Sequence, residues 1–92
     1  MPESAVHMVV RGMVQGVGFR FFVREQASRF GVRGWVKNLS DGSVEVYAEG
    51  DEETLSEFIA RVEEGPRFGR VTDMEMERLE PSHVFTGFSI QF

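Results

Sequence analysis

One short loop restricts the folds open to this chain more than any other feature. Residues 14–20 contain glycines at positions 16 and 18, no acidic side chain, and an arginine at the end. Apolar residues alternate as in a strand before this loop and recur with a helical spacing after it. A glycine loop between a strand and a helix can direct several main-chain N–H groups at one point, where the helix N-terminus adds partial positive charge. The loop is therefore predicted to bind an anion, with Arg20 donating two parallel hydrogen bonds to its oxygens.

Hydrophobic periodicity divides the rest of the chain into strands and helices. Strands are predicted at residues 6–12, 32–39, 43–48, 71–79 and 88–92, one helix at residues 20–30, and a second helix capped by Asp51 and stopped by Gly65-Pro66. Asp41-Gly42 predicts a hairpin turn between the second and third strands. The order β-α-β-β-α-β plus a short C-terminal strand predicts an α+β protein of the ferredoxin-like split-βαβ type, with two helices on one face of an antiparallel sheet.

That topology brings Asn38 towards the glycine loop. The third strand inserts beside the first, so the first and second strands run parallel without touching. Asn38 stands at the far end of the second strand and is therefore expected on the same rim as residues 14–20. The fold hosts many functions and decides none of them by itself.

Strand alternation predicts which side chains face the core. Val6, Met8 and Val10 are predicted to share one side of the first strand, and His7, Val9 and Arg11 the other. The residues predicted to face the core are Val44, Val46 and Ala48 of the third strand and Met74 and Met76 of the fourth. Glu45, Tyr47 and Glu49 are predicted to face outward, and Gly50 is predicted to end the third strand.

Length and composition predict one small folded domain spanning residues 1–92. The absence of cysteine excludes disulfides, zinc-thiolate sites and thiol catalysis. A net charge of −5 argues against nucleic acid as the main partner. Six of the ten basic residues and only two of the fifteen acidic ones precede Leu39, so the loop lies in the positive part of an acidic protein.

The first residues do not resemble a secretory leader, and no run approaches the roughly 18 to 20 apolar residues that a membrane helix needs. A cytoplasmic protein without membrane contact is therefore expected, and its small size favours a monomer. His7 and His83 lack partners at metal-ligand spacing and are interpreted as surface histidines, so no metal site is predicted.

Two segments carry a resemblance to a known family. Residues 10–20, Val-Arg-Gly-Met-Val-Gln-Gly-Val-Gly-Phe-Arg, resemble the first signature of the acylphosphatase family. Residues 34–38, Gly-Trp-Val-Lys-Asn, resemble the start of the second, with Gly42, Val44 and Gly50 following in place. The resemblance covers essentially the whole chain, including the order of strands and helices.

The resemblance implies an activity and a set of site residues. Acylphosphatases hydrolyse the carboxyl–phosphate bond of acyl phosphates to a carboxylate and inorganic phosphate, without a metal, a cofactor or a covalent intermediate. By resemblance, Arg20 binds the phosphate and Asn38 orients the attacking water. The main-chain amides of the loop would cradle the phosphate; the residues concerned are Gln15, Gly16, Val17, Gly18, Phe19 and Arg20. Gln91 departs from the family pattern, since a basic residue is common there.

The residue types suit this chemistry. The carboxylate leaving group of an acyl phosphate is stable without protonation, so no general acid is required. Fixed N–H donors and a guanidinium can gather the charge on the phosphoryl oxygens. Asn38 has both an acceptor and a donor, and can therefore orient a water without being a strong base.

Each assignment also has a structural alternative. Gly16 and Gly18 could only permit a tight turn, and Arg20 could be a solvated residue of the first helical turn. Asn38 could form the turn that follows it. The side chain of Gln15 could be exposed or could tie the turn of its own glycine loop.

Two functional alternatives remain. A binding module could hold a phosphorylated or carboxylated metabolite without turnover, and would need no water-orienting amide. An RNA-binding domain shares this topology, but the outward Glu45 and Glu49 and the acidic chain argue against it.

Overall fold

The computed structural model describes residues 2–92 and contains seven elements. In chain order they are β1 (Glu3–Met13), α1 (Phe19–Phe30), β2 (Arg33–Asn38), β3 (Val44–Asp51), α2 (Glu52–Glu64), β4 (Arg70–Leu79) and β5 (Phe88–Gln91). The predicted order is confirmed. The prediction that Gly50 ends the third strand is wrong, because Gly50 pairs with Ser4 and β3 continues to Asp51.

The five strands form one sheet in the order β4-β1-β3-β2-β5. The first four strands in that order pair antiparallel, and β5 pairs parallel with β2, so the sheet is mixed. β3 separates β1 from β2, which therefore run in the same direction without touching, as predicted. The chain thus has the ferredoxin-like arrangement with one additional short edge strand.

Both helices pack on one face of the sheet and enclose the core. The fully or almost fully buried residues include Val6, Met8 and Val10 of β1, Phe19, Val23 and Ala27 of α1, Val44, Val46 and Ala48 of β3, and Leu55, Phe58, Ile59 and Val62 of α2. Removing each large apolar side chain from water contributes about 1.5–3 kcal/mol. The predicted inward side of β3 is therefore confirmed, and Val6, Met8 and Val10 lie together on the buried side of β1.

Local chemistry sets the helix ends. Asp51 precedes α2 and accepts a hydrogen bond from the main-chain N–H of Glu53 at 3.2 Å. Gly31 follows α1 in the left-handed conformation (φ 68°), and its N–H donates to Ser28 O at 3.4 Å. The residues at these two helix ends therefore satisfy main-chain groups that the helices leave unpaired.

The fourth strand differs from its predicted burial. Met74 packs against the core, but Met76 is 48% exposed, so the prediction that Met76 belongs to the core is wrong. Met76 pairs with Met8 and is on the core-facing side of the sheet. Its exposure follows from the position of β4 at the sheet edge, where a core-facing side chain has a strand neighbour on one side only.

Glu49 lies on the sheet face away from the helices, as its alternation predicts, yet it is completely buried. The segment after β4 covers it and donates three hydrogen bonds to its carboxylate, from Ser82 N (2.8 Å), Ser82 Oγ (3.0 Å) and His83 N (3.1 Å). The Tyr47 hydroxyl donates a fourth at 2.7 Å. Desolvation raises the pKa of the Glu49 carboxyl, but the bonds from Tyr47 and Ser82 outweigh it, so that the pKa is below its ordinary value.

Candidate active site

The end of β1, the start of α1 and the end of β2 meet around one small cavity. It has a volume of about 200 Å³, and its lining residues are Val14, Gly16, Gly18, Phe19, Arg20, Phe21 and Asn38. The meeting follows from the topology, because β1 and β2 run in the same direction on either side of β3 and end at the same edge. The fold thus brings the glycine loop and Asn38 together.

The loop owes its course to two glycines in the left-handed region, Gly16 (φ 74°) and Gly18 (φ 75°). A β carbon added at either position would meet no atom within 4 Å. The need for glycine is therefore conformational, since other residues lose roughly 1–2 kcal/mol in this region. Because both glycines also line the cavity, the tight turn and the proposed anion site are one feature.

The main-chain N–H groups of this loop have no internal acceptor. The first helical hydrogen bond of α1 runs from Phe22 N to Gly18 O at 3.0 Å. Among residues 2–92, the N–H groups of residues 15–20 make no hydrogen bond to a main-chain or side-chain acceptor. The first turn of α1 also holds no acidic side chain. Unpaired donors and an unneutralised helix N-terminus together favour an anion at this point.

Arg20 is held from the far edge of the sheet. Its Nη1 donates to Gln91 O at 3.0 Å, and its guanidinium carbon lies 4.6 Å from the centroid of the Phe92 ring. Among residues 2–92, no carboxylate oxygen lies within 4 Å of its guanidinium. The guanidinium is therefore positioned and still able to pair with a ligand anion. Gln91 contributes its main-chain carbonyl to this contact, so the atypical side chain does not remove it.

Gln15 joins the loop to the β2–β3 turn. Its Nε2 donates to Leu39 O at 2.8 Å and to Ser43 O at 2.7 Å. These carbonyls lie just after Asn38 and at the far end of the turn. The sequence left this side chain either exposed or tying its own loop, whereas the structure has it bonded across to a different turn. Any part that Gln15 takes in an anion cradle would therefore fall to its main-chain N–H.

Asn38 is exposed at the end of β2 and lines the cavity. The turn after it is held by other groups: Leu39 N donates to Ser43 O (2.8 Å), Gly42 N donates to Leu39 O (3.2 Å), and Asp41 accepts hydrogen bonds from the N–H and the hydroxyl of Ser43. The Ser43 hydroxyl and then its N–H hold the pKa of the Asp41 carboxyl below its usual value. Because these groups supply the turn's hydrogen bonds, the side chain of Asn38 is not needed to form it.

Comparison with known proteins identifies the family. The sequence model of the acylphosphatase family matches residues 6–90. The chain belongs to the acylphosphatase family. It is 46% identical to an acylphosphatase of Bacillus velezensis, with 94% of this chain and 96% of the relative covered, and 45% identical to one of Pseudomonas paraeruginosa, with 99% of each covered. It matches the crystal structure of the acylphosphatase from Bacillus subtilis with a TM-score of 0.93 and 40% identity, over 97% of this chain and 99% of that chain.

The residues predicted from the acylphosphatase signatures divide into two groups. Those that line the cavity are Gly16, Gly18, Phe19, Arg20 and Asn38. Gln15 and Val17 do not line it: Gln15 bonds to the turn, and Val17 packs against the core. The two glycines, Phe19 and Arg20 of the loop therefore line the cavity, while the side chains of Gln15 and Val17 hold the loop in place.

Two residues at the site were missed by the sequence reasoning. Phe21 lines the cavity and is 53% exposed, and Phe92 stacks on Arg20. Phe21 lies off the apolar stripe of α1, and a large aromatic side chain on the solvent face of a helix was the available signal. Phe92 was predicted to belong to the fifth strand, but β5 ends at Gln91 and Phe92 is 95% exposed.

Among residues 2–92, no three His, Cys, Asp or Glu side chains lie close enough together to bind a metal ion. His7 instead pairs with Glu45 at 2.6 Å on the open face of the sheet. None of the helices in the same range is long and apolar enough to cross a membrane.

Proposed function

We propose that Arg20, the main-chain amides of residues 15–20 and Asn38 carry out the hydrolysis of acyl phosphates in this protein. As a member of the acylphosphatase family it is a hydrolase of acyl phosphates, with a carboxylate and inorganic phosphate as products. The observation that carries the proposal is the common cavity of the glycine loop, Arg20 and Asn38. Residues 1–92 act in this proposal as one catalytic domain.

The phosphoryl group binds first to the loop. Its oxygens accept hydrogen bonds from the N–H groups of residues 15–20. Two of these oxygens also accept hydrogen bonds from the guanidinium of Arg20. These donors are already oriented by Gly16 and Gly18 and by the contact between Arg20 and Gln91. Donors that need no rearrangement stabilise the charge that spreads over the phosphoryl oxygens in the transition state.

Asn38 then positions the attacking water. Its carbonyl accepts a hydrogen bond from the water and its amide group donates one, so that an oxygen lone pair faces phosphorus. The two hydrogen bonds from the Gln15 side chain to the β2–β3 turn hold Asn38, which precedes this turn, close to the loop. Correct placement of a reactant is worth orders of magnitude in rate, and a displacement of about 1 Å can lower the rate about a hundredfold.

The leaving group requires no acid. A carboxylate is a stable anion, and bond cleavage therefore needs no proton donor at the leaving oxygen. The lining of the cavity includes no carboxylate, histidine or thiol, in agreement with a direct attack of water. Neither a resident metal nor a covalent intermediate is required by this chemistry.

The experiment is hydrolysis of benzoyl phosphate by the purified protein, followed by the loss of ultraviolet absorbance, with and without a chelator. We expect turnover that is unaffected by the chelator and is inhibited competitively by inorganic phosphate. Competitive phosphate binding without any turnover would instead identify a binding module and overturn the proposed hydrolysis.

A monomer in the cytoplasm is also proposed. Analytical ultracentrifugation at micromolar concentration should report a mass close to 10.5 kDa. A stable dimer at that concentration would contradict it.

A further inference from the structure

A larger depression adjoins the active-site cavity. This open groove has a volume of about 1000 Å³ and runs between α1 and residues 86–88 at the start of β5. Phe21 lines both the groove and the active-site cavity. An acyl group attached to a phosphoryl group in the cavity can therefore extend past the ring of Phe21 into the groove.

Arg24 is the first charged residue beyond Phe21. It follows Arg20 by four residues, so the two side chains lie on the same face of α1, one turn apart. Its guanidinium carbon lies 5.4 Å from the centroid of the Phe21 ring. Among residues 2–92, no carboxylate oxygen lies within 4 Å of Arg24 or of Arg29, which lines the groove further along.

The other charges of the groove do not cancel these two arginines. Glu25 is the one carboxylate among its lining residues. Arg33 also lines it, but its Nη2 is paired with Glu3 at 2.6 Å and is already neutralised. The groove therefore carries a net positive charge on a protein whose total charge is −5.

We propose that this groove binds the acyl portion of the substrate and that Arg24 selects acyl phosphates whose acyl group bears a second negative charge. The inference rests on the proposed hydrolysis of acyl phosphates. Phe21 and Phe88 supply an apolar wall for a ring or methylene chain, and Arg24 pairs with the anion beyond it. Arg24 acts as a specificity-determining residue and makes no contact with the reacting phosphoryl group.

The size of the preference follows from the exposure of Arg24. An exposed ion pair contributes at most about a fivefold difference in an equilibrium constant. The preference should also fall as salt is added, because exposed charges are screened over about 10 Å at 0.1 M ionic strength.

The test uses two substrates that differ in one group. 4-Carboxybenzoyl phosphate and 4-carbamoylbenzoyl phosphate have the same ring and nearly the same shape, but only the first carries a second anion. We expect kcat/KM to be up to about fivefold higher for the carboxylate in the unmodified protein. Arg24→Gln should bring the two values together by lowering only that of the carboxylate, since glutamine keeps the helix propensity of arginine.

Arg67→Gln is the matched control. Arg67 is an exposed arginine with its guanidinium 5.6 Å from the ring centroid of Phe68, and it lines neither the groove nor the active-site cavity. It should leave the ratio of the two kcat/KM values unchanged. Equal values for both substrates in the unmodified protein, or an unchanged ratio in Arg24→Gln, would overturn the inference.

A binding measurement separates this inference from the proposed hydrolysis. The non-hydrolysable 4-(phosphonomethyl)benzoate and 4-(phosphonomethyl)benzamide are compared by calorimetry. Tighter binding of the benzoate that Arg24→Gln abolishes supports the inference even if neither substrate is hydrolysed, in which case the hydrolysis alone fails. Equal affinities of the two phosphonates would contradict the charge-selecting groove whether or not hydrolysis occurs.

Discussion

Among the three arginines of α1, Arg20 alone is tied to another element of the fold. Its hydrogen bond to Gln91 O and its stacking on Phe92 join the helix N-terminus to the end of β5. Arg24 and Arg29 stack on phenylalanines of their own helix. An arginine that is restrained but lacks a carboxylate partner is suited to receive an anion, because little side-chain freedom is lost on binding.

Arg20→Lys should therefore abolish the activity while the fold is kept. An ammonium group keeps the charge but cannot form the two parallel hydrogen bonds of a guanidinium. We expect kcat/KM for benzoyl phosphate to fall about a thousandfold or more, by analogy with other phosphoryl-transfer arginines. Inhibition by inorganic phosphate should weaken in parallel. Arg67→Lys, at an exposed arginine that lines neither the cavity nor the groove, should leave both quantities unchanged. Near-normal turnover in Arg20→Lys would contradict the role assigned to Arg20.

Individual site residues could be predicted from the sequence only where a pattern marked them. The glycine spacing marked Gly16 and Gly18, and the family signatures marked Arg20 and Asn38. The partner of Gln15 could not be predicted, because it lies 24 to 28 residues away across a turn whose position depends on the completed sheet. The contact of Phe92 with Arg20, 72 residues apart, depends in the same way on where β5 docks.

At the scale of elements, the glycines that flank α1 are required for their left-handed backbone conformation and not because space is short. The left-handed glycines of the loop have open space around their α carbons, and so does Gly31 (φ 68°) at the other end of α1. The helix thus has a conformationally similar glycine at each end, but only the N-terminal one lines the cavity.

Gly18→Ala and Gly31→Ala are accordingly a matched pair. Each places a β carbon in the left-handed region without a clash, so each should lower the free energy of unfolding by about 1–2 kcal/mol. Only Gly18→Ala should also weaken inhibition by phosphate, because it displaces the N–H groups aimed at the cavity. Urea denaturation and phosphate competition measure the two effects. Equal phosphate inhibition in both variants would show that the loop glycines serve only the turn.

Hydrophobic periodicity was enough to predict which segments form strands and helices and which side of a strand a residue lies on. It was not enough to predict how deeply a residue at the sheet edge is buried. Alternation assigned Met76 to the correct face, but the number of neighbours at an edge strand is a property of the whole sheet. Likewise, Glu49 was assigned to the correct face, and its burial arises from residues 82 and 83, which have no strand or helix pattern.

At the scale of the molecule, Glu49 connects the centre of the sheet to the chain that leads into β5. Its carboxylate receives the main-chain N–H groups of Ser82 and His83, and His83 is held at φ 59°. The parallel docking of β5 beside β2 follows this segment. Because β5 in turn supplies the carbonyl that holds Arg20, the buried carboxylate contributes indirectly to the geometry of the site.

Glu49→Gln should lower stability in a pH-dependent manner. The pKa of the Glu49 carboxyl is lower in the folded protein than its ordinary value in the unfolded chain, because Tyr47 and Ser82 donate hydrogen bonds to the carboxylate. Its contribution is therefore fully present above the unfolded value and is lost as the pH falls through the folded value. At pH 7 we expect a loss of about 1–3 kcal/mol in the free energy of unfolding, since buried hydrogen bonds to a charged group are removed.

Urea denaturation at several pH values measures this difference. The difference in the free energy of unfolding between the unmodified protein and Glu49→Gln should narrow as the pH falls from the ordinary pKa of a glutamate through the lower folded-state pKa of Glu49. Glu75→Gln, at an exposed carboxylate of β4, is the control and should show a much smaller gap. A gap for Glu49→Gln that is the same at every pH would contradict the lowered pKa.

The proposed site uses one cavity for two tasks: Arg20 and the loop bind the phosphoryl group, and Asn38 separately orients the attacking water. The measurement that tests it most directly is kcat for benzoyl phosphate together with the inhibition constant of inorganic phosphate in Asn38→Ala. We expect kcat to fall about a hundredfold or more, because the water loses its placement, while the inhibition constant of phosphate is unchanged. A retained kcat, or a loss of phosphate binding as large as the loss of kcat, would contradict it.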